Sequence, residues 1–97
     1  MNMQAIMKQA QNMQKEMMKI KEEIDQTEFT GESSFVSVKI NGKKEVIEVN
    51  INSDSIEKDD IEILQDMIAV AINQAMKKVD DVTEQKMSKY ASIPGLF

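Results

Sequence analysis

The sequence predicts an α+β fold: a long N-terminal helix, a three-stranded antiparallel sheet and a long C-terminal helix. Three observations predict it. Met3, Ile6, Ala10, Met13, Met17, Ile20 and Ile24 recur at alternating steps of three and four residues, the spacing of a helix that buries a narrow apolar stripe against another helix. Residues 35–51 switch to an every-second-residue alternation around Asn41-Gly42, the pattern of strands joined by a tight turn. Helical spacing then returns with Ile61, Leu64, Ile68, Ala71, Ala75, Val79 and Val82.

The first helix is predicted from about Asn2 to about Gln26, within an arm of residues 1–26. At 1.5 Å per residue it is about 37 Å long. Lys8, Asn12, Lys15 and Lys19 share one face of it, opposite much of the apolar seam. Glu22, Glu23 and Asp25 close the helix, where the helix dipole favours cations. That end is expected either to fray or to be held by packing.

Residues 27–52 are predicted to form the sheet. Thr27 to Gly31 reads as a short strand, with a turn at Gly31-Glu32-Ser33. In Phe35 to Ile40, Val36, Val38 and Ile40 face one way. Asn41-Gly42 suits a type I′ turn, which needs positive φ at both central residues. On the return strand, Glu45 to Ile51, the alternation puts Ile47, Val49 and Ile51 on one face and Glu48 and Asn50 on the other. Ser53 to Lys58 is polar and reads as a turn. Asp59 or Asp60 then caps the second helix, predicted over 59–90, with acidic residues suiting its first turn. The small residues Ala69, Ala71 and Ala75 allow another element to come close. Pro94-Gly95 ends any helix and leaves a short apolar tail, residues 91–97, with Ile93, Leu96 and Phe97. The whole, residues 1–97, reads as one domain.

Connectivity and length imply a protruding arm. The first helix enters the sheet by its C-terminal end and the second leaves by its N-terminal end, so antiparallel pairing sends their other ends away together. Strands of seven residues span about 23 Å, too short to cover helices of about 37 and 48 Å. Charge divides along the same line. Residues 1–21 carry four lysines against Glu16, residues 22–32 carry five acids and no base, and residues 53–67 carry six acids against Lys58. The acid sits where helices meet sheet, and a polyanion would be repelled by the body and drawn to the arm.

Composition narrows the chemistry. All 12 basic residues are Lys, and His, Cys and Trp are absent. The usual general base, thiol nucleophile and transition-metal ligands are therefore missing. Without Arg there is no planar fork to grip a phosphate or guanine edge with two bonds. Asp59, Asp60 and Glu62 lack the glycine that a calcium loop requires and read as helix-start acids. Glu22 and Glu23 point about 100° apart on a helix and do not converge on one atom. Gly31, Gly42 and Gly95 are too far apart for a phosphate-cradling loop. No catalytic residue, metal site or cofactor is expected. No apolar run approaches the roughly 20 residues that span a bilayer. Met3 to Ala10 is amphipathic, unlike a signal peptide, so the expected compartment is the cytoplasm. At 97 residues and a net charge of −5, the chain buries a modest core, and self-association is expected.

Several blocks resemble one family. Met7-Lys8-Gln9-Ala10-Gln11-Asn12-Met13-Gln14, followed by Met17, Lys19 and Glu22-Glu23, is similar to the opening helix of the YbaB/EbfC family of bacterial nucleoid-associated proteins. So is Thr30-Gly31-Glu32-Ser33 followed by Val36-Ser37-Val38-Lys39-Ile40-Asn41-Gly42. Asp59-Asp60, Leu64 and Asp66, then Ala71-Ile72-Asn73-Gln74-Ala75, resemble its second helix, and Pro94-Gly95 its tail. Where arginines commonly stand in that helix, this chain has Lys77-Lys78. The resemblance implies an α/β fold with a small antiparallel sheet, a homodimer with paired arms like tweezers, and binding of double-stranded DNA. It also implies a role in nucleoid organisation or gene expression, and no catalysis or cofactor.

The expected function is therefore that of a homodimeric, non-enzymatic, nucleoid-associated DNA-binding protein, with no membrane and no small-molecule substrate. Lys8, Lys15 and Lys19 on the first helix, with Lys77, Lys78, Lys86 and Lys89 toward the end of the second, are the candidate phosphate contacts. The rival expectation is a protein–protein adaptor whose Met-rich arm receives another helix. Single-stranded nucleic acid is a weaker fit, because Tyr90 is the only tyrosine and the phenylalanines fall in the sheet or tail.

Overall fold

The structure is a computed structural model and describes residues 2–90; the apolar tail, residues 91–97, lies outside them. Helix α1 (Met3–Gln26) leads into strands β1 (Glu28–Ser33), β2 (Val36–Asn41) and β3 (Val46–Ile51), followed by a 3-10 turn (Lys58–Asp60), helix α2 (Ile61–Met87) and a last 3-10 turn (Ser88–Tyr90). The sheet is antiparallel in the order β1-β2-β3. The molecule is a rod, 71 × 19 × 14 Å.

The core lies between α2 and the sheet. Val36, Val38 and Ile40 of β2, Phe29 of β1, and Ala71, Ala75 and Val79 of α2 are buried there, joined by Ile24 from the end of α1. The close approach expected of the small residues is seen at Ala71 and Ala75, whereas Ala69 is exposed. α2 packs on β1 and β2 and leaves β3 uncovered.

Both glycine readings change. Gly31 is inside β1, and the turn falls on Ser34-Phe35, with φ 52° at Ser34. A Cβ on Gly31 would stand 1.9 Å from the Ala71 carbonyl oxygen, so the residue is needed for strand-to-helix contact. At the second hairpin, Asn41-Gly42 does not form the expected two-residue turn. The left-handed residue is Lys44, φ 64°. The Asn41 side-chain oxygen accepts from the Lys43 and Glu45 amides at 2.9 and 3.0 Å, which stabilises a longer loop. Gly42 lies against the end of α1: its amide donates to the Asp25 carbonyl at 3.2 Å, and a Cβ would be 1.9 Å from the Ile24 carbonyl oxygen.

That contact answers the question of the acidic helix end. The last turn of α1 is held by Gly42, by the Thr27 hydroxyl donating to the Glu23 carbonyl at 2.7 Å, and by buried Ile24. In β3 the register breaks by one residue. Val49 and Ile51 pair with Val38 and Val36 as the alternation predicts, but Ile40 pairs with Val46. Ile47 is the extra residue of a bulge, so Val46 takes its place on the helix-side face. Asp60 does stand at the N-cap of α2, but its side chain caps none of that helix's amides; its carboxylate accepts instead from the Glu57 amide at 3.0 Å, within the capping box that starts the 3-10 turn.

The two helices pair antiparallel only near the sheet. Thr83 and Met87 of α2 come to Met17 and Ile24 of α1 around a shallow apolar groove. Buried Tyr90 then donates its hydroxyl proton to the Glu16 carboxylate, at 3.2 Å. α2 and its final turn thus end level with Glu16, and α1 runs on toward Asn2 for about 20 Å more. The arm is a helix pair at its base and, among the described residues, a single helix beyond.

Candidate nucleic-acid interface

α1 has two opposed faces, and its fold determines which is free. The apolar seam grades from buried Ile24 through half-buried Ile20, Met17 and Met13 to exposed Ala10, Ile6 and Met3. Because α2 takes the seam side, the stripe of Lys8, Asn12, Lys15 and Lys19 is left on the solvent side, where all four are exposed. Among the described residues no ion pair forms to Lys8, Lys15 or Lys19. Glu16, the one acid in the first 21 residues, could have compensated them. It is turned instead to Tyr90 and to Lys89, whose ammonium lies 3.9 Å away. The three lysines extend over a rise of about 16 Å, so three amines can meet separate phosphates rather than compete for one.

The four α2 lysines fall in two places. Lys86 is exposed in the last turn of the helix, and Lys89 follows it, paired with Glu16 and 5.0 Å from the Tyr90 ring centroid. These two adjoin the arm. Lys77 and Lys78 lie on the part of α2 that covers the sheet, flanking buried Ala75 and Val79. Lys77 is exposed, while Lys78 donates to the Thr30 carbonyl of β1 at 2.6 Å. The structure therefore brings Lys8, Lys15 and Lys19 onto one face, sets Lys86 and Lys89 beside its base, and holds Lys77 and Lys78 apart.

Three further lysines were missed by face counting. Lys21 is out of step with the stripe, yet it shares a shallow hollow with Lys15 and Lys19, rimmed by Met18, Glu22 and Asp25. Lys43 sits at the hairpin among Glu22, Asp25 and Glu28. Lys44 is paired with Asp80 at 2.9 Å. Both hairpin lysines thus face acidic surroundings, which weakens their pull on a polyanion.

A second surface was not legible in any local pattern. The outer edge of β1 is closed by α2: the Glu32 amide donates to the Gln74 side-chain oxygen at 2.7 Å, and Lys78 occupies the Thr30 carbonyl. β3 has no such cover. Val46, Ile47, Val49 and Ile51 are all exposed, Ile47 to 50 %. Val46, Val49 and Ile51 are on the helix-side face of the sheet but beyond the reach of α2, and an open apolar edge strand is a pairing surface.

No helix among the described residues is long and apolar enough to cross a membrane. Residues 1–93 match the model of the YbaB/EbfC DNA-binding family. A nucleoid-associated protein of Clostridium novyi is 43 % identical over 102 aligned positions, covering 100 % of this chain and 90 % of the relative. One of Lactococcus lactis subsp. cremoris is 46 % identical over 92 positions, covering 93 % of each. The crystal structure of an uncharacterised protein from Helicobacter pylori superimposes with a TM-score of 0.75 at 26 % identity, covering 93 % of this chain and 97 % of that one. With the family pattern running from the first helix to the end of the second, the chain belongs to the YbaB/EbfC DNA-binding family.

Proposed function

We propose that this protein binds double-stranded DNA as a homodimer, through lysine–phosphate contacts from two arms, and acts in the nucleoid in chromosome organisation or gene regulation. The observation that carries the reading is the lysine face of α1, which forms no ion pair among the described residues and is exposed on a rod that extends past an acidic body. Lys8, Lys15 and Lys19 make the main contacts, with Lys86 and Lys89 adding to them at the base of the arm. Lys77 and Lys78 join only where the duplex reaches the body. Lysine is a point charge without the planar fork that reads base edges, so binding depends little on sequence and strongly on salt.

The second copy meets the open β3 surface. Its support is the contrast between the two sheet edges, one capped by Gln74 and Lys78 and the other bare and apolar. Two arms on one body would then approach a duplex together.

The test is a salt titration of binding to duplexes of unrelated sequence, run beside a sizing measurement. Affinity should fall steeply from 50 to 200 mM salt, equally for every duplex, with a species of twice the chain mass. Salt-insensitive binding would refute the electrostatic mechanism. Recovery of a stoichiometric protein partner, with no duplex retained at physiological salt, would favour the adaptor reading.

A further inference from the structure

The base of the arm, where α1 meets α2, is rich in sulfur. Met17 and Met18 of α1 and Met87 of α2 line one shallow groove, together with Ile24 and Thr83. The groove holds about 450 Å³, ample for a molecule little larger than water, which occupies about 30 Å³. Exposure sorts the described methionines. Met3, Met7 and Met18 are 74, 58 and 63 % exposed, so a polar atom added there disturbs no packing. Met67 and Met76 pack against the core. Met13 is half-buried but does not line the groove. Met87 is buried. Met17 alone is half-buried on the groove, open to a small molecule and part of the apolar contact between the helices. Beside it the buried Tyr90 hydroxyl donates to Glu16, the residue next to Met17 in the chain.

We propose that Met17 is a site of oxidation by hydrogen peroxide, and that its sulfoxide releases the base of the arm. A lone pair of the Met17 sulfur attacks one peroxide oxygen and the O–O bond breaks. The second oxygen leaves as hydroxide and takes the proton of the transferred oxygen, giving water and the sulfoxide. Sulfur loses two electrons and peroxide gains two. The thioether is an apolar, adaptable filler, and the sulfoxide is polar. Burying that polar group without a hydrogen-bond partner is unfavourable, so α1 parts from α2 and Tyr90 is uncovered. A sulfoxide reductase restores the thioether, which makes the contact a reversible switch. The proposal concerns how the arm is held and stands whether or not the arm binds DNA.

Tyr90 is the only tyrosine and tryptophan is absent, so tyrosine fluorescence reports on this one place. Full-length protein carrying Met3→Leu, Met7→Leu and Met18→Leu, which removes the exposed thioethers, is compared with the same protein also carrying Met17→Leu, a volume-conserving change. Both are treated with hydrogen peroxide, and sulfoxide at each methionine is read by peptide mass spectrometry. With Met17 present, it should oxidise about five-fold faster than Met67 and Met76, and acrylamide quenching of Tyr90 should rise about three-fold in step with it. Methionine sulfoxide reductase should reverse the rise. With Met17→Leu the quenching should stay at its untreated level. The unsubstituted chain should show the same coupling between Met17 sulfoxide and quenching. Hydrogen-exchange protection of β2 should be unaltered throughout. Unchanged quenching at full Met17 conversion, an equal rise with Met17→Leu, Met17 reacting no faster than Met67 and Met76, or parallel loss of β2 protection would each overturn the assignment.

Discussion

Replacing Lys15 with glutamine tests the phosphate contact most directly. Lys15 is exposed, mid-stripe, and free of ion pairs among the described residues, so Lys15→Gln removes a charge and little else. On the proposed reading the main contacts, Lys8, Lys15 and Lys19 on two arms, are about six, and counted without Lys86 and Lys89 they give a fall of log Kobs against log salt with a slope of about −5.4. A four-fold rise in salt, from 50 to 200 mM, then weakens binding about 2,000-fold. With Lys15→Gln in both arms about four contacts remain, the slope relaxes to about −3.6, and the same salt step costs about 150-fold. The assay is fluorescence anisotropy on a labelled duplex at four or more salt concentrations, with circular dichroism to show that the helices are intact. The reasoning is refuted if Lys15→Gln leaves the slope unchanged, or if its effect differs between duplex sequences. Lys77→Gln, on the body, should change the slope less than Lys15→Gln does.

Three further outcomes follow from the packing. Gly31→Ala forces a Cβ against the Ala71 carbonyl, 1.9 Å away with backbone on both sides. It should destabilise the fold by about 3 kcal/mol, at the upper end for overpacking, read from the denaturant midpoint; a midpoint equal to the parent's would contradict the strand–helix contact. Val49→Lys puts a charge on an exposed position of β3 and should shift the dimer to monomer in sedimentation without altering the circular dichroism spectrum. Persistence of the dimer would move the second copy elsewhere. Tyr90→Phe removes the hydroxyl that reaches Glu16 at 3.2 Å and should cost about 1 kcal/mol in chemical denaturation, whereas a loss below a few tenths would mean the hydrogen bond contributes nothing to closing the arm's base.

On the proposed reading, arms that carry only ammonium groups would hold a duplex by charge density, and the body's acids would keep the duplex away from the sheet. Glu16 shows how finely this depends on partners. Left free, it would subtract from the stripe, but Tyr90 and Lys89 engage it on the helix's other flank.

The sequence by itself determined the elements, their order and the two faces of the first helix, because a period of 3.6 or 2 is a local property that side-chain polarity records directly. It also determined the charge division between arm and body, and its blocks sufficed to identify the family. Only the tertiary structure decided how those elements meet. It showed that Gly31 and Gly42 serve close approach rather than turn geometry, that a bulge at Ile47 puts Val46 opposite Ile40, and that α2 covers β1 and β2 but not β3. It also separated Lys77 and Lys78 from the arm lysines and tied Lys78 to Thr30, 48 positions away in the chain. The physical reason is the same in each case: such contacts depend on where two distant backbones come together, and no pattern along one backbone records the distance to another.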